Sequence, residues 1–162
     1  NAFGIIQGLE TVALRMKQHC SNAQKVVDFL TKHSEISRVI YPNQYKDEIG
    51  NRAKRYLNGG NGGLVGIELK GGIKAGKKFI EALKMFYHVA NIGDAKSLAI
   101  HPATTTHSQL NEEELLSSGV TPGYVRLCIG IEHIDDIIDD LEQALKQTSD
   151  NVENIRKVKA VG

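Results

Sequence analysis

A stripe of apolar and small residues at strictly helical spacing runs through the start of the chain, and it constrains the fold more than any other feature. Its members, each three or four residues from the next, are Ile6, Leu9, Ala13, Met16, Cys20, Ala23, Val27 and Leu30. This spacing places all of them on one face of an α-helix about 40 Å long. Such a helix could form the seam of a coiled coil or brace a domain that continues upstream, but we expect plain packing against the core.

Downstream of this helix, short strand-like and helix-like segments alternate. Strands are predicted over residues 37–41, 64–69, 86–92, 97–100 and 124–131. Helices are predicted over residues 51–57, 75–83, 111–117 and 134–145. Short strands separated by helices and loops are typical of an α+β fold with two layers. We therefore expect a mostly antiparallel sheet with helices covering one face, in a chain whose length suits one domain.

The charge balance and the cysteine content argue against several classes of function. The 20 basic residues and 19 acidic residues leave a formal charge of +1, which provides no broad field for attracting nucleic acid or an anionic membrane. No apolar run reaches the roughly 18 residues that a membrane span requires. Cys20 and Cys128 lie far apart and outside any ligand-like spacing. We therefore expect reduced thiols and a cytoplasmic protein rather than a disulfide framework.

Arg126 is the most informative single residue. It lies on the same side of strand 124–131 as Cys128 and Gly130, two small residues that leave space around its guanidinium. A guanidinium in a partly enclosed space matches a planar anion, because its donors can form two parallel hydrogen bonds with a carboxylate. The alternative is an internal salt bridge with Glu132 or one of the nearby aspartates. The residues alone leave both interpretations open.

The segment from residue 101 to residue 107 carries two histidines and three threonines but no complete catalytic set. His101 and His107 have no third partner at metal-ligand spacing, so no metal site is predicted. Neither histidine has an identifiable nucleophile or orienting group. The threonines are expected to cap the turn. The residues therefore indicate an anion-binding group without the machinery of a reaction.

Three spaced segments resemble the C-terminal domain of the pyridoxal-phosphate enzymes of cysteine and methionine metabolism. They are NIGDAKSL at residues 91–98, HPATTTH at 101–107 and VRLCIGIE at 125–132. The resemblance covers residues 1–147, and its details are most similar to the O-acetylhomoserine sulfhydrylase branch. It implies that residues 1–148 are the small C-terminal domain, beginning in the interdomain helix, and that residues 149–162 are a tail. It also implies a large cofactor-binding domain that lies outside this chain.

The resemblance assigns roles to three residues. Arg126 is implied to hold the α-carboxylate of the amino-acid substrate, and Thr106 to lie near the same carboxylate. Asn91 stands where many relatives carry serine, an exchange that resembles the sulfhydrylase branch, and it is implied to help bind the substrate. Cys128 also stands where relatives usually carry serine, so the packing behind Arg126 is left open.

For the whole protein, the resemblance implies the conversion of O-acetylhomoserine and sulfide to homocysteine and acetate in methionine biosynthesis, by a homotetramer. Pyridoxal 5'-phosphate is implied as the cofactor, held mainly by the large domain. No Ser-x-x-Lys sequence for the Schiff-base lysine occurs in these 162 residues, so the chain alone is expected to be inactive and to hold no catalytic residue. The alternatives are a methionine gamma-lyase, a cystathionine gamma-synthase or lyase of the same family, and a freestanding amino-acid-sensing domain.

Overall fold

The computed structural model describes the backbone of residues 2–159 and the side chains of residues 2–111 and 113–148. The helices are α1 (Ala2–Glu10), α2 (Val12–Leu30), α3 (Glu48–Tyr56), α4 (Gly72–Ala82), α5 (Glu112–Ser117) and α6 (Ile134–Lys159). The strands are β1 (Ile36–Ile40), β2 (Leu64–Leu69), β3 (Tyr87–His88), β4 (Leu98–Ile100) and β5 (Tyr124–Cys128). Two short 3-10 turns, Pro42–Gln44 and Pro102–Thr104, follow β1 and β4.

The five strands form one sheet in the order β1-β2-β5-β4-β3. Three of its four strand pairs are antiparallel, and only β3 and β4 run parallel. The predicted α+β fold with a mostly antiparallel sheet is therefore confirmed. Among the described residues, no helix is both long and apolar enough to cross a membrane.

The core lies between one face of the sheet and the helices α2, α4 and α6. On the sheet side it contains alternate residues of β2 and of β5 with its extension, namely Val65, Ile67, Leu69, Val125, Leu127 and Ile129. Each of these is at most 4% exposed. Because side chains alternate along a strand, Tyr124, Arg126 and Cys128 must point to the opposite face of β5. The core therefore fixes the direction in which Arg126 projects.

The helix predicted over residues 6–30 is two helices, because the chain leaves helical geometry at Thr11, with φ −109° and ψ 1°. The stripe also changes character along its length. Ile6 and Leu9 are more than half exposed, whereas Val27 and Leu30 are fully buried. No residue of α1 is buried, so the stripe is a core face only from the second half of α2 onward. Helical spacing cannot reveal this difference, since both halves have the same period.

Most other boundaries agree with the sequence-based expectations, and the differences have local causes. The helix predicted from residue 51 begins at Glu48, because the Asp47 side chain accepts hydrogen bonds from the backbone N–H groups of Ile49 and Gly50. The predicted Asn111 cap is confirmed, and it forms a reciprocal capping box with Glu114. The strand predicted over residues 86–92 is only the two-residue β3.

The last strand and the last helix also differ from the expected bounds. The strand predicted to reach residue 131 ends at Cys128, because the next amides pair with loops: Ile129 N–H donates to Gly63 O and Ile131 N–H to Ala95 O. The backbone of α6 continues beyond the predicted end at residue 145 to Lys159. The side chains of residues 149–162 lie outside the described residues, so the assignment of this segment as a tail stays a prediction.

Candidate functional site

Arg126 projects from the central strand of the sheet toward the face opposite the helical layer. Its register neighbours are Gly66 on β2 and Ile100 on β4. It lines one end of a cleft of about 530 Å³ between β2, β5 and α3, whose other walls include Tyr45, Tyr56 and Tyr124. The half-buried Arg126 side chain is therefore held by a rigid strand beside an open cleft.

The guanidinium of Arg126 has donors without partners. Its Nη2 donates to the backbone oxygen of Asn91 at 3.2 Å, while its Nε is buried without any hydrogen-bond partner. Among the side chains that the structure describes, no carboxylate lies within ion-pair distance of it. A buried N–H without a partner is costly, and a ligand carboxylate would remove that cost.

Glu132, which the sequence offered as a salt-bridge partner for Arg126, forms its hydrogen bonds with Ser97 instead. Its Oε1 accepts from the backbone N–H of Ser97 at 2.6 Å, and its Oε2 accepts from the Ser97 hydroxyl at 2.9 Å. The same hydroxyl accepts from the Gly130 N–H at 2.9 Å. The acidic group that follows β5 therefore fixes the loop before β4, and Arg126 retains an uncompensated positive charge.

Asn91 meets Arg126 through its backbone rather than through its side-chain amide. The Asn91 Oδ1 accepts from the Ile92 N–H at 2.9 Å, and the side chain is exposed. The carbonyl that Arg126 contacts also accepts from the Cys128 Sγ at 3.2 Å. Burial raises the pKa of Cys128 above its usual range, so this group is a neutral thiol at neutral pH. Cys20 and Cys128 are both free.

Thr106 lies in the exposed segment that follows β4. Its Oγ1 forms a hydrogen bond with the Nδ1 of His107 at 2.8 Å. Thr106 makes no hydrogen bond to Arg126 or Asn91. The Thr105 hydroxyl donates to the backbone oxygen of His101 at 2.8 Å, and the Thr104 hydroxyl lies 3.3 Å from the same oxygen, as expected for turn-capping residues. The roles of Arg126, Asn91 and Thr106 in substrate binding stay predictions; of the three, Arg126 and Asn91 are in contact.

His101 is a structural residue of the core. It is fully buried, its Nε2 donates to the backbone oxygen of Pro122 at 2.9 Å, and its Nδ1 is 2.9 Å from the Thr104 Oγ1. Burial is the largest cause of a pKa below the ordinary value of 6.5. Within the described part of the chain, no group of three or more His, Cys, Asp or Glu residues could hold a metal ion.

Acidification is expected to destabilise the protein through His101. The folded state favours the neutral ring, whereas the unfolded chain takes up a proton near pH 6.5. This contribution is therefore fully present above the unfolded value and is lost as the pH falls from there through the lowered folded value. The melting temperature should drop between about pH 7.5 and about pH 5.5, and less so in His101→Gln. The other histidines are common to both proteins, so equal drops would contradict the prediction.

Two buried polar residues of α2 hold the segment that follows β5, and neither was identified from the sequence as part of the site. His19 Nδ1 donates to the Ile129 oxygen at 2.6 Å. Asn22 Nδ2 donates to the oxygens of Gly130 and Glu132 at 3.1 and 2.9 Å. The available signal was their spacing of three residues beside the buried end of the apolar stripe. They tie α2 to the segment that directly follows the strand carrying Arg126.

Comparison with known proteins identifies one enzyme family. The family described as Cys/Met metabolism PLP-dependent enzyme matches residues 1–146. The chain is 56% identical over 147 residues to an O-acetyl-L-homoserine sulfhydrylase of Leptospira meyeri, covering 90% of this chain and 33% of that protein. It is 46% identical to a homocysteine synthase of Schizosaccharomyces pombe, covering 90% and 35% respectively.

An enzyme of different activity matches the same part of the chain. An L-methionine gamma-lyase of Fusobacterium nucleatum is 43% identical, covering 91% of this chain and 37% of that protein. A crystal structure assigned as an O-acetylhomoserine (thiol)-lyase of Campylobacter jejuni, which carries a pyridoxyl-lysine phosphate, superposes with a TM-score of 0.82. That protein is 44% identical, and the match covers 90% of this chain and 35% of that one. The chain therefore spans about a third of the length of the relatives it matches.

Proposed function

Because this chain belongs to the Cys/Met metabolism PLP-dependent enzymes, we propose that its protein is an O-acetylhomoserine sulfhydrylase. The reaction replaces the acetoxy group of O-acetylhomoserine with sulfide and gives homocysteine and acetate. The similarity to the Leptospira meyeri sulfhydrylase and to the Schizosaccharomyces pombe homocysteine synthase supports this activity. The similarity to a methionine gamma-lyase makes gamma-elimination the second candidate.

The observation that carries the proposal is the guanidinium of Arg126, which has no internal counter-charge among the described side chains. In the proposed enzyme it binds the α-carboxylate of the substrate with two charge-assisted hydrogen bonds. The Asn91 carbonyl accepts a hydrogen bond from the guanidinium, and Asn91 and Thr106 complete the proposed substrate site. Binding the carboxylate on a rigid strand limits the orientations of the substrate, which is a contribution of positioning and not of proton transfer.

Pyridoxal 5'-phosphate is the cofactor of the family, but the described residues of this chain do not fit it. The glycine-rich segment at residues 59–63 leads into strand β2, whereas a phosphate site requires the start of a helix. Lys96 is exposed, and its Nζ donates to the Tyr87 hydroxyl at 3.0 Å. We therefore place the cofactor and its lysine in the large domain, outside residues 1–162.

We also propose a domain organisation for this chain. Residues 1–148 form the small domain and begin in the interdomain helix, and residues 149–162 form a tail. The exposed apolar side chains of α1, among them Phe3 at 72% and Leu9 at 63%, suit a helix that packs on the remainder of the polypeptide. A homotetramer in the cytoplasm, and inactivity of the chain by itself, belong to the same proposal.

Product analysis on the complete enzyme tests the activity. With O-acetylhomoserine and sulfide, we expect homocysteine and acetate in equal amounts and dependent on sulfide. Methionine and cystathionine should release little 2-oxobutyrate under the same conditions. Dominant 2-oxobutyrate release would identify a gamma-lyase and overturn the sulfhydrylase assignment. Binding of an amino acid without any turnover would favour a sensing domain.

A further inference from the structure

The backbone oxygen of Asn91 accepts hydrogen bonds from two side chains on the same face of β5. Arg126 Nη2 and Cys128 Sγ each lie 3.2 Å from it. A carbonyl oxygen has two lone pairs and can accept both hydrogen bonds. The two side chains project from the same face of the strand, two residues apart. The carbonyl, the guanidinium and the thiol therefore form one connected cluster.

The loop that carries Asn91 is anchored differently at its two ends. At the far end, Ser97 is held by both carboxylate oxygens of Glu132. At the near end, every residue from Tyr87 to Lys96 is exposed, and the Asn91 side chain bonds only within its own turn. Cys128 is 6% exposed, so its thiol supplies the buried contact at this end. Arg126 cannot do so alone, because the guanidinium is needed for the ligand.

The protonation state of Cys128 suits this contact. Burial raises the pKa of the thiol, so the group donates a hydrogen bond instead of placing a thiolate beside Arg126. A thiolate would compete with a ligand carboxylate for the guanidinium. The Arg126 side chain is the thiol's other polar neighbour, while the residues opposite Cys128 on the two adjacent strands, Leu64 and Leu98, are apolar.

We propose that Cys128 is a positioning residue for substrate binding, which fixes the Asn91 carbonyl and through it the orientation of the Arg126 guanidinium. This inference rests on the proposed carboxylate-binding role of Arg126. Without the thiol, the Asn91 carbonyl keeps only the hydrogen bond from Arg126, and the loop and the guanidinium then move together. The substrate must restrain both, and its binding weakens for that reason.

Steady-state kinetics of the complete enzyme test the role of Cys128 in three variants. Cys128→Ala should raise the KM for O-acetylhomoserine by about two- to tenfold with little change in kcat, since one modest hydrogen bond is lost. Cys128→Ser retains a donor and should keep the KM near that of the wild type. Cys20→Ala is the matched control, because it removes the other thiol, which takes no part in the cluster, and it should have no effect.

Inhibitor binding separates this role from general loosening of the fold. Norvaline carries an α-carboxylate and n-butylamine is the same molecule without it. Cys128→Ala should weaken inhibition by norvaline by a similar factor and leave inhibition by n-butylamine unchanged. Equal weakening of both inhibitors, or an unchanged KM in Cys128→Ala, would overturn the inference. If Arg126→Ala also left norvaline inhibition unchanged, the carboxylate-binding role itself would fail, so the two failures are distinguishable.

Discussion

Replacing Arg126 by alanine in the complete enzyme is expected to raise the KM for the amino-acid substrate by roughly 30- to 160-fold. The change removes a charge-assisted bidentate contact, which is worth about 2 to 3 kcal/mol. The Arg126 side chain has no acidic partner among the described side chains, so its loss leaves no buried carboxylate unpaired. The effect should therefore appear in substrate binding far more than in stability.

The same cleft provides a matched control for this measurement. Arg52 lines the cleft as well, but its Nη2 is paired with the Glu48 Oε1 at 2.9 Å and both side chains are largely exposed. Arg52→Ala should leave the KM almost unchanged, because an exposed ion pair is worth little. Arg126→Lys keeps the positive charge but loses the planar pair of donors. Its KM should therefore lie between those of Arg126→Ala and the wild type. A wild-type KM in Arg126→Ala would refute the assignment of the carboxylate site.

The direction of Arg126 could be predicted from the sequence because it depends on a local pattern. Val125, Leu127 and Ile129 alternate with polar or small residues, and burial of the first set forces Arg126 to the other face. The identity of its neighbour could not be predicted in the same way. The group of Asn91 that meets the guanidinium is a backbone oxygen, and every residue carries one. Only the path of the loop determines which carbonyl is within reach.

The break at Thr11 and the contacts of Asn22 depend on tertiary structure in a similar way. The apolar stripe has an uninterrupted helical period across Thr11, so periodicity alone predicts one helix. Asn22 lies within the same helical pattern, yet it is 1% exposed, and the carbonyls of the segment that follows β5 accept its hydrogen bonds. Polar residues on buried helical faces find partners that are distant in sequence, and no local pattern specifies them.

Asp140 is another buried polar residue whose partners are distant in sequence, and it supports the core beside the sheet. It follows Ile137 by one helical turn on the buried face of α6 and is 6% exposed, an unusual place for a carboxylate. Its oxygens accept from the backbone N–H groups of Lys84 and Met85, each at 2.9 Å, and of Phe86 at 3.3 Å. The Asp140 carboxylate thus supplies the hydrogen-bond acceptors for the backbone N–H groups of the connection between α4 and β3.

Asp140→Ala is expected to destabilise the protein by about 3 kcal/mol, because three backbone donors at a partly buried turn lose their acceptor together. Amide hydrogen exchange on the complete enzyme should show much faster exchange at Lys84, Met85 and Phe86, together with a lower melting temperature. Asp139→Ala is the matched control, since Asp139 is the adjacent residue on the exposed side of α6. Unchanged exchange at these three amides in Asp140→Ala would show that the carboxylate does not hold the turn. If faster exchange is confined to these three amides, Asp140 stabilises the protein through the connection between α4 and β3, as the three hydrogen bonds predict.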